Sequence, residues 1–204
     1  MISYPRSTTG CSPATADFNA TATTMVVVSS SIVESWDLNN NLSPSGKQGE
    51  TNFQAASHSP DGNLIAVTSW VDVSLTGSSL QGGGGFISPR EDSTGFLLYS
   101  AWSPNGQMMA TSTASGRMYV WRVADGQILA TFTGHTTPVK RLAWNPTSTQ
   151  IVSGDDSGNV RIWNAVTGQS IRSRVHFTLV QNMLVMVPGE MWGFKRRIFG
   201  AGTM

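Results

Sequence analysis

The chain has one cysteine, Cys11, among its 204 residues, and only 12% of its side chains are charged. One cysteine excludes an intrachain disulfide and leaves no thiolate cluster for a metal, a usage typical of a reducing compartment. So few charges are unusual for helix-rich surfaces, and the composition favours strands. The formal net charge of +1 provides no overall attraction to nucleic acid or to a membrane surface.

Long hydrophobic runs are also missing. Residues 1–6 lack the basic start and apolar stretch of a secretory signal. The longest apolar stretch, at 177–188, is too short to span a bilayer. We therefore expect a soluble intracellular protein, cytoplasmic or nuclear, that has no membrane partner.

The sequence contains a motif that repeats about every 42 residues. This period is typical of stacked or radial repeat proteins. In the copies at 101–121 and 143–163, a small residue, a tryptophan, a polar residue and a proline precede a second tryptophan. An earlier copy at 56–60 keeps the proline but lacks that second tryptophan, and the earliest keeps only Trp36-Asp37. We call the position of the second tryptophan in each repeat the tryptophan slot. By spacing, this slot is occupied by Trp36, Gly77, Trp121 and Trp163.

Within each unit, apolar and polar residues alternate, and Asn-Gly, Asp-Gly and Ser-Gly pairs separate the alternating runs. Alternation predicts half-buried strands, and these pairs suit hairpin turns because their residues accept positive φ. The two clearest units predict strands at 97–102, 107–111, 117–121, 127–132, 139–144, 150–154 and 159–164, with one more after Gly168. Four short antiparallel strands in about 42 residues make one propeller blade.

These residues resemble those of the WD40-repeat family. The resemblance rests on the Ser-Pro-Asp-Gly and Ser-Pro-Asn-Gly turns at 59–62 and 103–106, on Gly134-His135, and on the run 152–164. It is strongest over 96–172. The resemblance implies an all-β fold, a WD40-type β-propeller of about four blades, of which two match well.

The resemblance also divides the chain into an irregular lead-in at 1–24, the repeats at 25–175 and an atypical tail at 176–204. The blade near 55–95 is expected to be degraded, with a mobile glycine loop at 82–85. Two good blades and two damaged ones do not close a ring. We therefore expect an incomplete propeller: an open arc, a fragment, or half of an oligomer that closes by self-association.

The C-terminal part differs from the rest in composition. Residues 171–204 hold five of the thirteen basic residues but only one of the twelve acidic ones, and 183–204 hold four of the nine methionines. Two interpretations stay open: an extension that docks on a partner, or sequence foreign to the fold, such as a frame change or a retained intron. The basic cluster at 195–197 is read as a solvated patch rather than a nucleic-acid site.

In the family, hydrogen bonds link a glycine-histidine imidazole, a strand hydroxyl, a turn aspartate and the tryptophan indole. The resemblance therefore assigns structural blade roles to Trp36, Trp121, Trp163, His135, Ser153 and Asp156. Asp156 lies one residue early, because Ser157 occupies the usual aspartate position. We expect a partial network that holds the last blade less tightly than a full set.

Residues with catalytic chemistry are few. The three histidines, His58, His135 and His176, occupy repeat positions that explain them structurally. Cys11 has no basic neighbours that would activate a thiol. The glycine run at 82–85 lacks the Lys-Ser/Thr of a phosphate loop. We therefore expect no enzyme activity, no cofactor, no metal and no small-molecule substrate.

The resemblance implies a protein–protein interaction scaffold. The alternatives are a sensing repeat segment of a larger signalling protein and a truncated gene fragment without function. A flat rim binds through a few aromatic or arginine anchors, and the sequence leaves open which side chains lie on a rim. The candidate partner contacts are Arg90, Arg117, Arg122, Lys140, Arg141 and Arg161.

Overall fold

The computed structural model describes residues 15–28, 32–39, 45–48, 53–78, 80, 86–87 and 96–174. Every regular element in these ranges is a β-strand. No helix in this part of the chain is long and apolar enough to cross a membrane. The tail at 176–204, the glycine loop at 82–85, Cys11 and Arg90 lie outside the described residues, so the expectations for them stay predictions.

The described strands form four antiparallel sheets, and each sheet contains four strands that are consecutive in the chain. Sheet 1 contains β1 (Thr15–Phe18), β2 (Thr24–Val28), β3 (Ile32–Asp37) and β4 (Ser45–Gln48). Sheet 2 contains β5 (Phe53–His58), β6 (Leu64–Ser69), β7 (Val73–Gly77) and β8 (Phe86–Ile87). Sheet 3 contains β9 (Leu97–Trp102), β10 (Met108–Thr113), β11 (Met118–Arg122) and β12 (Ile128–Phe132). Sheet 4 contains β13 (Val139–Trp144), β14 (Gln150–Asp155), β15 (Val160–Asn164) and β16 (Ser170–Arg174).

The sheets stack face to face, and an apolar cluster fills each space between consecutive sheets. Between sheets 3 and 4 the cluster includes Val120, Phe132, Ile151 and Trp163, all buried. Comparable clusters lie between sheets 2 and 3 and between sheets 1 and 2. Among the described residues, no contact of this extent joins sheet 1 to sheet 4. The expected all-β, propeller-type arrangement is confirmed, and its described sheets are not closed into a ring.

One position at the end of each first strand ties a sheet to the preceding one. Trp102 and Trp144 donate their indole N–H to backbone carbonyl oxygens of the preceding sheet, at 3.3 and 3.1 Å. The equivalent residue of sheet 2 is His58, whose Nε2 lies 3.2 Å from the hydroxyl of Thr24 in sheet 1. This position of the repeat motif therefore contributes to contacts between sheets as well as within them.

Sheet 1 begins earlier than the sequence predicts. The expectation of an irregular lead-in through residue 24 is wrong for Thr15–Phe18, which forms β1 and pairs with β2. The turn after β1 is held by Asn19, whose carboxamide oxygen accepts the backbone N–H groups of Thr23 and Thr24. Asn145 holds the corresponding turn of sheet 4 in the same way. The unit at the start of the chain is therefore a complete four-stranded sheet.

In sheet 2 the tryptophan slot is one residue earlier than predicted. Ile65 pairs with Thr76, as Ile151 pairs with Trp163 in sheet 4. The assignment of the slot to Gly77 is therefore wrong, because the turn between β6 and β7 is one residue shorter than the corresponding turns of sheets 3 and 4. The fourth strand of this sheet is described at Phe86–Ile87, and the expected degradation of this blade stays a prediction.

Candidate functional site

A buried hydrogen-bonded group in sheet 4 joins the linker before β13 to the hairpin of β14 and β15. His135 Nε2 lies 2.8 Å from Ser153 Oγ, and His135 Nδ1 lies 2.9 Å from Asp155 Oδ2. The same carboxylate accepts the backbone N–H of Asn159 at 2.8 Å. The side chains of His135 and Asp155 have no exposed surface. The group therefore clamps the linker onto the hairpin.

Serine, histidine and aspartate in this order also form the catalytic triad of serine hydrolases. A nucleophilic serine must be reached by a substrate, and Ser153 is fully buried together with His135. The arrangement therefore cannot act as a nucleophile in the folded sheet. No group of three potential metal ligands occurs in the part of the chain that the structure describes.

The assignment of the turn aspartate to Asp156 is wrong. The carboxylate that meets His135 belongs to Asp155, whereas Asp156 is exposed and its carboxylate lies 3.4 Å from Lys140 Nζ. Because alternate residues of a strand share a face, Asp155 points to the same side of β14 as Ser153. Asp156 follows the strand and turns toward solvent.

The electrostatics of this group settle its protonation. Burial lowers the pKa of His135 from its usual 6.5; Asp155 opposes this shift and Arg161 reinforces it. Burial raises the pKa of Asp155, but hydrogen bonds from Asn159 and His135 outweigh that effect and hold it below 3.8. At neutral pH, His135 is neutral and Asp155 is ionised. A carboxylate only accepts hydrogen bonds, so His135 Nδ1 donates to Asp155 and Nε2 accepts the Ser153 hydroxyl.

The tryptophans of the repeat differ in their hydrogen bonds. Trp121 Nε1 donates to Thr111 Oγ1 at 2.9 Å. Trp163 is fully buried, its Nε1 has no hydrogen-bond partner among the described residues, and its ring stacks on Phe132 with a centroid distance of 5.1 Å. Within the same part of the chain, Trp36 Nε1 also lacks a partner, since valine replaces the hydroxyl residue at the equivalent position of β2. Packing rather than indole hydrogen bonding therefore holds two of the three tryptophans.

The turns between the second and third strands of sheets 2, 3 and 4 form one continuous edge. In each case, a backbone hydrogen bond joins the turn to the residues that lead into a first strand: Leu97 to Trp70 at 2.8 Å, Ala114 to Phe96 at 2.8 Å, and Asp156 to Pro138 at 3.0 Å. We call this edge the upper rim, defined by residues 69–72, 96–97, 113–117, 133–140 and 155–158.

Two exposed aromatic side chains lie together on the upper rim. Trp70 is 42% exposed and Phe96 is 57% exposed, with ring centroids 5.2 Å apart. Val71 beside them is exposed as well. The hydroxyl of Ser69 accepts the backbone N–H groups of Val71 and Asp72, so the turn that carries Trp70 is held in one shape. Sequence reasoning missed this pair, although an aromatic-valine dipeptide inside a tight turn was a usable signal.

Two of the predicted partner contacts lie on the upper rim. Arg117 is exposed at the start of β11, directly after the turn of sheet 3. Lys140 is exposed on β13 and pairs with Asp156. The rim therefore carries cationic groups as well as the aromatic pair.

The other described candidates lie elsewhere. Arg122 is at the opposite rim, where it pairs with Asp125 at 2.8 Å. Arg141 lies on the inner strand β13, with its guanidinium carbon 5.5 Å from the centroid of the Tyr99 ring. Arg161 is half-buried on β15, and its Nε is buried without a partner. These three side chains are not part of the upper rim.

Comparison with known families agrees with the geometry. Residues 93–122 and 126–164 match the family model described as WD domain, G-beta repeat. The first match covers β9 to β11, and the second covers β12 to β15, so each ends with the strand that carries Trp121 or Trp163. No curated protein matches the chain. The chain is therefore similar to WD40 repeats over β9 to β15, and its described sheets have an all-β, propeller-type arrangement.

Proposed function

We propose that this chain is a protein–protein interaction scaffold whose partner binds at the upper rim, on Trp70, Val71 and Phe96. WD40 repeats generally mediate interactions between proteins. The observation that carries the proposal is the exposed pair of aromatic rings, held where a backbone hydrogen bond joins the turn of Trp70 to the start of β9. WD40 proteins are typically intracellular, so the proposed partner is an intracellular protein, cytoplasmic or nuclear.

The energetics of interfaces favour this pair over the basic residues. A few aromatic or arginine anchors carry most of the binding energy, and each costs about 2 kcal/mol or more when truncated. The turn of Trp70 is already ordered by Ser69, so little side-chain and loop entropy is lost on binding. An exposed ion pair such as Lys140 with Asp156 contributes about 1 kcal/mol or less.

Arg117 and Lys140 are proposed as secondary contacts at the edge of the same surface. Arg122, Arg141 and Arg161 lie away from the rim and provide controls. Self-association would use other faces of the molecule. A small-molecule substrate and a membrane are not part of the proposal.

The test is capture of intracellular proteins by the purified chain, from separate cytoplasmic and nuclear extracts, with quantitative mass spectrometry. We expect the double variant Trp70→Ala/Phe96→Ala to lose at least about tenfold of the specific partner signal, equivalent to about 1.4 kcal/mol. Arg122→Ala, an exposed change at the opposite rim, is the matched control and is expected to retain the signal. Equal capture by the wild type and the double variant, with both folded, would overturn the assignment of the rim.

A further inference from the structure

The outer face of sheet 1 carries a row of apolar side chains. Phe18 pairs with Met25, and Met25 pairs with Trp36, so the three share one face. The opposite face of the same sheet, with Val26 and Val28, packs against sheet 2. Phe18 is 54% exposed, and Met25 and Trp36 are half-buried.

The same row is fully covered in sheet 4. There Trp144 pairs with Ile151, and Ile151 pairs with Trp163. All three are buried against sheet 3 in one apolar cluster. The row in sheet 1 therefore has the composition of a sheet-to-sheet interface but, among the described residues, no facing sheet.

The outer face of sheet 4 presents the complementary row. Ala143 pairs with Val152, and Val152 pairs with Ile162. Their equivalents in sheet 3 include Ala110 and Val120, which are buried against sheet 4. Ile162 is only half-buried. This face therefore has the composition that meets a following sheet.

Gly154 marks the same face. Its equivalents Thr68 and Ser112 each make a hydrogen bond to the next sheet, Thr68 to the Ser100 hydroxyl and Ser112 to the Val139 carbonyl. A Cβ added at Gly154 would meet no atom of the described residues within 4 Å. The position that contacts a following sheet in sheets 2 and 3 therefore meets no following sheet in the described part of sheet 4's surroundings.

We propose that two copies of this chain associate head to tail, the Phe18-Met25-Trp36 face of each packing on the Ala143-Val152-Ile162 face of the other. Each contact would repeat the arrangement that joins sheets 3 and 4 within one chain. The outermost charges also suit the pairing, since Glu34 lies on the sheet 1 face and Arg172 on the sheet 4 face.

The number of sheets supports closure at two copies. The four described sheets of each chain make eight in two copies, and propellers contain about four to eight blades. A head-to-tail contact generates a closed ring when its rotation completes a full turn. The association uses neither the upper rim nor Trp70 and Phe96, so it stands or falls independently of the proposed partner site.

The first test is the molar mass of the purified 204-residue chain, measured by light scattering on a sizing column. We expect a single species of about twice the 21.8 kDa chain mass, since the ring closes at two copies. A monomer, or a broad distribution of larger species, would overturn the proposal.

Two variants block one face each. Phe18→Glu changes an exposed residue of the sheet 1 face, and Gly154→Glu adds a carboxylate in open space on the sheet 4 face, so neither disturbs packing within the chain. Each variant alone is expected to be monomeric. An equimolar mixture is expected to form a one-to-one dimer, because one sheet 1 face and one sheet 4 face remain intact.

Phe96→Glu is the matched control, since Phe96 is an aromatic residue of similar exposure on the upper rim. It is expected to remain a dimer, and circular dichroism verifies folding of all three variants. A Gly154→Glu chain that still dimerises alone would contradict the head-to-tail pairing. Failure of the folded single-face variants to associate in the mixture would contradict it as well.

Discussion

Sheet 4 and sheet 2 have the same four-stranded topology but are held by different side chains. Sheet 4 contains the buried group of His135, Ser153 and Asp155, and a tryptophan at the repeat slot. Sheet 2 has Thr76 in that slot. Alternation and turn residues therefore suffice to specify the sheet, and the tryptophan and the buried polar group add rigidity to it.

The largest expected effect on stability comes from replacing the residue at the tryptophan slot of each sheet with alanine. Trp163→Ala is expected to lower the free energy of unfolding by about 3 to 5 kcal/mol, because a fully buried ring leaves a cavity. Thr76→Ala is expected to cost about 1 to 2 kcal/mol, since it removes one methyl and one hydroxyl group. Chemical denaturation monitored by circular dichroism measures both. Equal losses would mean that the slot does not distinguish the sheets.

Asp155 and Asp156 test which carboxylate belongs to the buried group. Asp155→Ala is expected to cost about 3 kcal/mol, because it leaves buried donors of His135 and Asn159 unsatisfied. Asp156→Ala removes only an exposed ion pair and is expected to change stability by about 0.5 kcal/mol or less. A larger loss from Asp156→Ala, in the same denaturation assay, would restore the prediction from sequence.

Acidification is expected to weaken sheet 4. The unfolded chain protonates His135 as the pH falls through 6.5, whereas the folded chain keeps it neutral until its lowered pKa is reached. The unfolded state therefore binds more protons, and the free energy of unfolding falls below pH 6.5 by up to about 1.4 kcal/mol per pH unit. Denaturation curves across this range measure the slope. His135→Gln is expected to flatten it, and an unchanged slope would show that His135 is not its source.

The smallest expected effect compares the turns held by Asn19 and Asn145. Each carboxamide oxygen accepts two backbone N–H groups of its turn. Replacing either asparagine with alanine is expected to cost about 1 kcal/mol. Thermal unfolding of the two variants side by side measures the difference. A loss only for Asn145→Ala would mean that the turn of sheet 1 is not formed as described.

The strands of sheets 3 and 4 could be predicted from the sequence because their signals are local. The predictions for 97–102 and 139–144 are confirmed at both ends, and the remaining five with stated ends agree within two residues. Gly106 and Gly158 adopt φ values of 70° and 80° at the turns, as the hairpin pattern requires. Alternation and turn chemistry depend only on neighbouring residues, so the strands predicted from them agree with the strands of the structure.

The wrong assignments depended on counting residues across a turn, where the number of residues varies between sheets. Gly77 was assigned by spacing, and a turn shortened by one residue moved the slot to Thr76. Asp156 was assigned relative to Trp163, whereas strand alternation selects Asp155. Sheet 1 was only partly recognised, although Asn19 and the following threonines repeat the pattern of Asn145.

The contact between Trp70 and Phe96 was beyond prediction for a different reason. Trp70 and Phe96 are separated by 26 positions in the chain, and they meet because the turn of sheet 2 bonds to the start of β9. Exposure of an aromatic side chain is decided by such tertiary contacts, whereas local patterns report only the strand and the turn. The candidate site therefore required the structure.

The central claim is that all four sheets form, including the two without a complete set of repeat residues. Hydrogen–deuterium exchange with peptide-level mass spectrometry tests it most directly. We expect protected amides in β2 and β6 as well as in β10 and β14, with the strongest protection in β14. Exchange of β2 and β6 at the rate of an unfolded chain, while β10 and β14 stay protected, would contradict it.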